Sequence, residues 1–492
     1  MSNQLNIEQL TEMAKSANVI PLIKQYFNAS ETPLGIYRKL IDQKGVFLLE
    51  SAEQGVWSQY SFIGLNPRGE LLEKNGTAVW EGPALGFDLQ DRPLDALEQL
   101  SEHYKSAPIS TLPLSSGLVG HMSWNVVRDL EKLAPQKDSE YSIPRIHFLQ
   151  FREIVILDHK DSKIHIVHNI FTDDGELESS LEHATERLSE LHTLITTAAE
   201  PEMYELDFDA EARVESNMQK QEFLDMVEIA KQHVVAGDVF QVVVSQRFSQ
   251  GLDVQAEEVY AVLRAINPSP YMYLLRLQDE QGDYWIVGSS PEALVRINQE
   301  TIISHPIAGS RPRGIDPLSD AEMERELLAD TKEQSEHLML VDLARNDLLR
   351  TCVPESVRVD EFMSVHRYSH IMHLVSTVIG KIRSGVSRVQ AVSSAFPAGT
   401  LSGAPKPKAL EIIEKLEPNN RGLFGGVVGY FDFQGNADLA IAIRTALIRD
   451  DSAYVQAGAG IVLDSDPESE YQETLAKARV IQKAIAIAKS RH

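Results

Sequence analysis

The sequence predicts an α+β chain built on large antiparallel sheets packed against flanking helices. Three observations lead there. Strand-like and helix-like segments come in blocks rather than in strict alternation, which disfavours a doubly wound parallel sheet. Short apolar, β-branched runs follow one another across 271–307 and again across 424–462. Long stretches at helical spacing separate and close these blocks, at 330–350 and 467–489.

In chain order, residues 1–30 read as two short helical pieces broken at Pro21. Residues 45–69 read as strand, turn, strand. Phe47, Leu48 and Leu49 run into Glu50 and Ser51, and Trp57, Tyr60 and Phe62 mark the second strand. Residues 92–105 are helical, 154–171 form a hairpin, and 173–199 form a polar amphipathic helix with Leu177, Leu181, Leu188, Leu191 and Leu194 on one side. Residues 200–217 are acidic and aperiodic. The domain boundary falls there, dividing the chain into 1–205 and 206–492.

After the boundary, 219–236 is a helix ending at Gly237, 240–248 a strand, and 254–266 a helix stopped by Asn-Pro. Strands follow at 271–278, 284–288, 293–298 and 301–307, then two helices, then strands at 357–365 and 370–382. Residues 405–416 form a helix with Pro in its first turn. Residues 424–433 and 439–447 form a hairpin, 454–462 a strand, and 467–489 the closing helix.

Composition narrows the function class. The chain has 492 residues, 43% hydrophobic and 24% charged, as in a soluble globular protein with ample core. The net charge of −26 and pI near 5.0 leave no basic footprint for nucleic acid or an anionic membrane surface. A small anionic substrate stays compatible, because it meets local groups rather than the net charge. A single cysteine, Cys352, excludes an intrachain disulfide and suits a reducing, cytoplasmic compartment. No signal peptide is expected from residues 1–20, and no apolar run reaches the ~18 residues of a membrane helix.

The stretch 330–350, DTKEQSEHLMLVDLARNDLLR, carries the first chemical signal. Glu333 and Glu336 share a helix face. Asp342, Arg345, Asn346 and Asp347 interrupt an otherwise apolar run, where charge is tolerated only if solvated or paired. The closing helix repeats the spacing with Glu470 and Glu473, and places Lys477 one turn further on. Two carboxylate pairs with no His or Cys cluster point to a hard, oxygen-liganded cation such as Mg²⁺. Glu-x-x-Glu is common on helices, so the spacing alone is a weak signal.

Three glycine-rich turns, at 305–313, 396–406 and 457–461, offer backbone donors, and each reads equally as a tight turn or bulge. Arg444 lies in the apolar run DLAIAIRTALI and needs an acidic partner, either a ligand carboxylate or a structural ion pair. His370 and His373, three apart on a strand, face opposite sides, so at most one points at any given site. A lone core His is usually structural, and near a metal-bound acid it becomes a general-base candidate. Glu50, by itself, reads as a strand end entering solvent.

Taken together, the blocks PSPYMYLL, GSSPEALVRI, PIAGSRPRG, SHIMHLVS, FPAGTLSGAPK, GGVVGYFDF, AIAIRTALI, QAGAGIV and SDPESEYQET resemble the chorismate-utilising enzymes, above all their anthranilate-forming large subunits (component I). The resemblance implies a two-part α+β fold that uses Mg²⁺ and converts chorismate and ammonia to anthranilate and pyruvate in tryptophan biosynthesis. It matches Glu336 and Glu473 to metal carboxylates, with Glu333 and Glu470 behind them. It matches Gly309, Ser310, Arg444 and the Gly458-Ala459-Gly460 backbone to chorismate contacts, with Lys477 as a further contact. His373 matches the general base, with Thr400 beside the ring.

Two positions sort the family. Lysine-type aminodeoxychorismate synthases have Lys where this chain has Ala308. Water-using isochorismate and salicylate synthases have a Lys base near the position of Gln241, and Gln leaves ammonia as the better nucleophile. Cys352, in Arg-Thr-Cys-Val-Pro, lacks the glycine elbow of a glutaminase, so the resemblance implies a separate glutaminase subunit (component II). It also implies feedback inhibition by tryptophan, at a pocket matched to Glu50, Ser51, Pro270, Tyr271 and Met272 of the PSPYM and LLES blocks, with Val428 and Tyr430 as weaker matches. Carboxylates and backbone carbonyls there are expected to hold the ligand's ammonium group. Phe424 departs from the family's usual Tyr at the substrate, Ser310 from Thr, and Gln59 from Arg.

Overall fold

A computed structural model describes residues 5–51, 59–108, 112–198, 205–367 and 371–491. Trp57 and His370 lie outside the described residues. The strand ladders are all antiparallel and form two branches that share the long strand Ile146–Asp158. One branch runs from that strand through Tyr60–Lys74, Phe47–Glu50, Tyr271–Asp279, Gly282–Ser290, Thr445–Arg449 and Ser452–Ile461 to Gln241–Gly251. The other runs through Gly117–Met122, Val427–Asp432, Ala437–Ile441, Ala293–Asn298 and Thr301–Ser304 to Ile371–Lys381.

An apolar layer lies between the branches. Phe47, Tyr273, Leu275, Ile286 and Leu447 of the first meet Val119, Val428 and Ala440 of the second. Helices cover the outer faces. Ala256–Ile266 and Pro467–Lys489 pack with Leu48, Met272 and Leu274 on one side, and Arg388–Ala395, Lys406–Leu416 and Thr331–Leu349 supply the core on the other. Burying such faces at roughly 25 cal/mol per Å² drives the assembly, and the alternation of strand side chains decides which face each residue serves. Ladders cross the 205/206 boundary, as in the pairing of Phe47–Glu50 with Tyr271–Asp279 and of Gly117–Met122 with Val427–Asp432.

Three expectations are corrected. Residues around Pro21 form the strand Val19–Phe27, not a second helix. That strand's ladder is with Lys163–Phe171 alone, and an edge strand tolerates a missing N–H. The 301–307 segment divides at His305-Pro306 into Thr301–Ser304 and Ile307–Pro312. The expected strand 439–447 breaks at Arg444, whose φ is +50°, because Ala437–Ile441 belongs to one branch and Thr445–Arg449 to the other. Among the described residues, no helix is long and apolar enough to cross a membrane.

Candidate active site

Two of the chain's short crossings between the branches carry a charged residue. Glu292 sits between Gly282–Ser290 and Ala293–Asn298, and Arg444 sits between Ala437–Ile441 and Thr445–Arg449. Backbone bonds tie the crossings together: Ile441 N–H donates to Glu292 O at 2.9 Å and Ser289 N–H to Arg444 O at 3.0 Å. The left-handed backbone at Arg444 costs of order 1 kcal/mol or more in a non-glycine residue, a strain often found at functional sites.

Glu292 was not picked out by the sequence reading. Thr400 Oγ1 donates to its Oε1 at 3.0 Å. Burial pushes its carboxyl up to about 7, against the Thr400 hydrogen bond and the nearby charges of Arg444 and Lys477. Its signal in the sequence is an acid in the strand break Ser-Ser-Pro-Glu, directly before the apolar strand Ala293–Asn298. Burial in turn lowers Arg444, with Glu292 and Glu473 opposing that shift.

Carboxylates of the two acidic helices come within reach of each other's charge here. Glu336 lies on Thr331–Leu349 and Glu473 on Pro467–Lys489. Burial raises the Glu336 carboxyl, and the neighbouring Glu333 and Glu473 carboxylates add to this against Lys332 and a hydrogen bond from Gln241. Glu470 is raised by burial and by Glu473, and bonded to Ser465. Lys477 pairs with Glu473 at 2.5 Å and donates to Gly458 O at 3.0 Å. Gly458, Ala459 and Gly460 lie on Ser452–Ile461 against Gln241–Gly251. A Cβ on Gly460 would fall 2.5 Å from Gln241 Nε2, so glycine there makes room for the amide.

His373 joins from Ile371–Lys381. It pairs across the ladder with Ser310, and its Nδ1 lies 3.2 Å from Gly309 O. Burial lowers its imidazole, with Arg444 adding to this, so neutral His is favoured. Gly309, at φ +72°, takes up a ladder irregularity between Ala308 and Ser310. Glu333 closes over it, with Oε2 3.2 Å from where a Gly309 Cβ would stand. Ser310 is exposed. Phe424 is buried in the helix-side core, borders a small pocket with Tyr141, Leu423 and Ala442, and lies under the Arg421 guanidinium. The structure thus gathers Glu292, Glu333, Glu336, Gln241, His373, Thr400, Arg444, Glu473 and Lys477 in one region.

The acidic set passes a chemical test for a hard cation. Its donors are carboxylate oxygens from two helices, and burial with neighbouring carboxylates raises Glu336 and Glu470, which so gain from a shared positive charge. Among the described residues, no three His, Cys, Asp or Glu are close enough to form a complete protein cage.

The expected inhibitor residues do not share one face. Tyr271, Val428 and Tyr430 belong to the layer between the branches, where Tyr271 Oη donates to Asp438 at 3.0 Å. Glu50 and Met272 pair across the ladder and turn to the opposite face. There the Glu50 Oε1 accepts from Tyr260 Oη at 2.5 Å and Arg264 Nε at 2.7 Å. The expectation that its carboxylate faces an inhibitor beside Tyr271 is therefore corrected. Strand alternation sends it to the helix, and only its backbone borders the Tyr271 side. Ser51 and Pro270 continue these two strands and are half-buried.

Residues 44–483 match the family model described as chorismate binding enzyme. Anthranilate synthase component 1 of Arthrobacter globiformis is 44% identical, over 99% of this chain and 94% of the relative. That of Aquifex aeolicus is 42% identical over 99% of both chains. The crystal structure of anthranilate synthase component I from Streptococcus pneumoniae is 35% identical and covers 87% of this chain and 93% of its own, with a TM-score of 0.76. The menaquinone-specific isochorismate synthase of Escherichia coli is 18% identical, with a TM-score of 0.69 over 97% of this chain and 98% of its own, and shares the fold. With the glutamate pairs, the crossing arginine and the lone histidine already in one region, a family match over nearly the whole length leaves one reading: the chain belongs to the chorismate binding enzymes.

Proposed function

We propose that this chain is the large subunit of an anthranilate synthase, converting chorismate and ammonia to anthranilate and pyruvate. The observation that carries this is the meeting of Glu336 and Glu473 beside Arg444 and Glu292. Near-full-length likeness to named component 1 proteins supports the product. In this reading 206–492 holds the catalytic machinery and 1–205 contributes the tryptophan pocket.

Arg444, with the Gly458-Ala459-Gly460 backbone, holds the enolpyruvyl carboxylate of chorismate, and Lys477 adds charge beside it. Glu336 and Glu473, backed by Glu333 and Glu470, are the residues that would hold Mg²⁺, which when bound supplies a Lewis acid for the ring carboxylate. Protonated Glu292 is suited to give its proton to the departing ring hydroxyl, which leaves as water. Ammonia adds to the ring ortho to the carboxylate and sheds a proton. His373, neutral and half-buried, then takes the ring proton at that carbon; the C–H electron pair completes the aromatic ring as the enolpyruvyl C–O bond breaks, and the enolpyruvate released takes up a proton to become pyruvate. Ala308 offers no nucleophile, and Gln241 cannot deprotonate water.

Ammonia comes from a separate glutaminase subunit. In support, the sole cysteine is fully buried and burial pushes its thiol up, away from nucleophilic use. The pocket bordered by Ser51, Pro270, Tyr271, Val428 and Tyr430 takes tryptophan as a feedback inhibitor. A cytoplasmic setting fits a chain with one buried thiol. The test is to supply chorismate, Mg²⁺ and ammonium and to follow anthranilate fluorescence and pyruvate together. Equal amounts of both products are expected. An aminated product without pyruvate would instead make the chain an aminodeoxyisochorismate synthase.

A further inference from the structure

We propose that the buried Asp347–Lys406 pair is a positioning device that holds Thr400 against Glu292. Asp347 lies on the same helix as Glu336, and Lys406 begins the helix that follows the 396–405 loop. Lys406 Nζ donates to Asp347 Oδ2 at 2.7 Å and to Ala395 O at 2.9 Å. The two side chains are 9% and 13% exposed.

A second contact grips the same loop. Leu343 fills the space over Gly399, where a Cβ would fall 1.9 Å from Leu343 Cδ2. The helix of the metal-site glutamates therefore fastens the loop on both sides of Thr400, at Gly399 and at Lys406. Leu343, Asp347, Gly399, Thr400 and Glu292 all line one cleft. Burial opposes both charges of the pair, raising Asp347 to about 6 and lowering Lys406. Such a pair is a poor source of stability, since apolar isosteres are often neutral or better. An ammonium shared by two fixed acceptors does what an apolar contact does not: it sets the loop's place along the helix. The loop's hydrogen bond to the proposed proton donor comes from Thr400 Oγ1, and a small slip there misaligns the carboxyl with the departing hydroxyl.

This inference rests on reading Glu292 as the proton donor. The experiment measures kcat and KM for chorismate with saturating ammonium and Mg²⁺. The variants are Asp347→Leu with Lys406→Met, Lys406→Arg alone, and Glu292→Gln. The double variant avoids the orphaned charge that either single apolar replacement leaves buried. Lys406→Arg keeps the charge but moves the donors. Both are expected to lose about tenfold or more in kcat with KM within about twofold, the mark of misplaced chemistry rather than lost binding. An unchanged kcat in Lys406→Arg or in the folded double variant, or a loss carried by KM, overturns the role of the pair. Wild-type turnover in Glu292→Gln sinks instead the reading of Glu292.

Discussion

The Thr400 hydroxyl donates to Glu292 at 3.0 Å across the junction of the two sheet branches. Glu292 is a carboxyl raised to about 7, near the half-buried Arg444 guanidinium. One carboxyl is thus poised to be protonated near neutrality, on a different element from the proposed metal-binding glutamates Glu336 and Glu473.

Glu292→Gln removes the transferable proton and keeps the shape. It is expected to lower kcat by about 10² to 10⁴ with little change in KM for chorismate. The wild-type pH profile carries the sign. A proton donor must be protonated, so the form that works prevails below about pH 7 and is lost as pH rises through it. Initial rates at a fixed concentration of free ammonia, rather than of total ammonium, check this. An alkaline limb that persists in Glu292→Gln would assign it to another group.

Ala308→Lys places an amine on the Ile307–Pro312 strand, one residue from Gly309 and opposite Leu374. It is expected to abolish or redirect anthranilate formation, because an amine there competes with ammonia for the ring. Product analysis by chromatography reads this directly. Unchanged rate and product would remove position 308 from the site.

Much of this region was legible in the sequence, and the reasons are local. Carboxylates three apart on uninterrupted helices announce their own face, so Glu336 and Glu473 could be read before any fold was known. Of the odd charges in 330–350, Asp342 and Arg345 proved an exposed ion pair, while Asp347 found Lys406 far along the chain. No spacing rule reaches that partner. Arg444 looked like a residue inside one strand because AIAIRTALI is apolar throughout, and periodicity does not tell a strand from a crossing between two. Glu292 was hidden for the same reason: its importance comes from the junction. The side of the sheet that Glu50 faces depended on its register against Met272 and Ser61, which is set by the ladder.

Glu50 and Tyr430 should therefore separate stability from regulation. Glu50→Ala leaves Tyr260 Oη buried without its acceptor, at a cost of about 1 to 3 kcal/mol that thermal unfolding would register. Tyr430→Ala, on the face between the branches, is expected to weaken tryptophan inhibition more than Glu50→Gln does. Ser51→Phe should abolish it by filling the pocket. Inhibition curves normalised to each variant's own uninhibited rate check the order. If Ser51→Phe stays fully sensitive, tryptophan acts elsewhere.

Gly460→Ala tests the metal site without touching a carboxylate. Its new methyl would fall 2.5 Å from Gln241 Nε2, a contact too short to keep, so the amide must swing away. Gln241 is the hydrogen-bond donor to Glu336, and that bond works against the burial and like charges that raise the Glu336 carboxyl. Loss of the donor leaves Glu336 a poorer anion at neutral pH, and the Mg²⁺ concentration for half-maximal activity is expected to rise about tenfold or more, the usual scale for losing a partner of a metal ligand. Glu336→Gln and Glu473→Gln should raise it further. The same titration at higher pH gives the sign: alkali restores the Glu336 anion, so the Gly460→Ala deficit should narrow as pH rises. A deficit that is constant with pH would mean that the methyl acts by blocking chorismate, and the KM for chorismate would carry the loss.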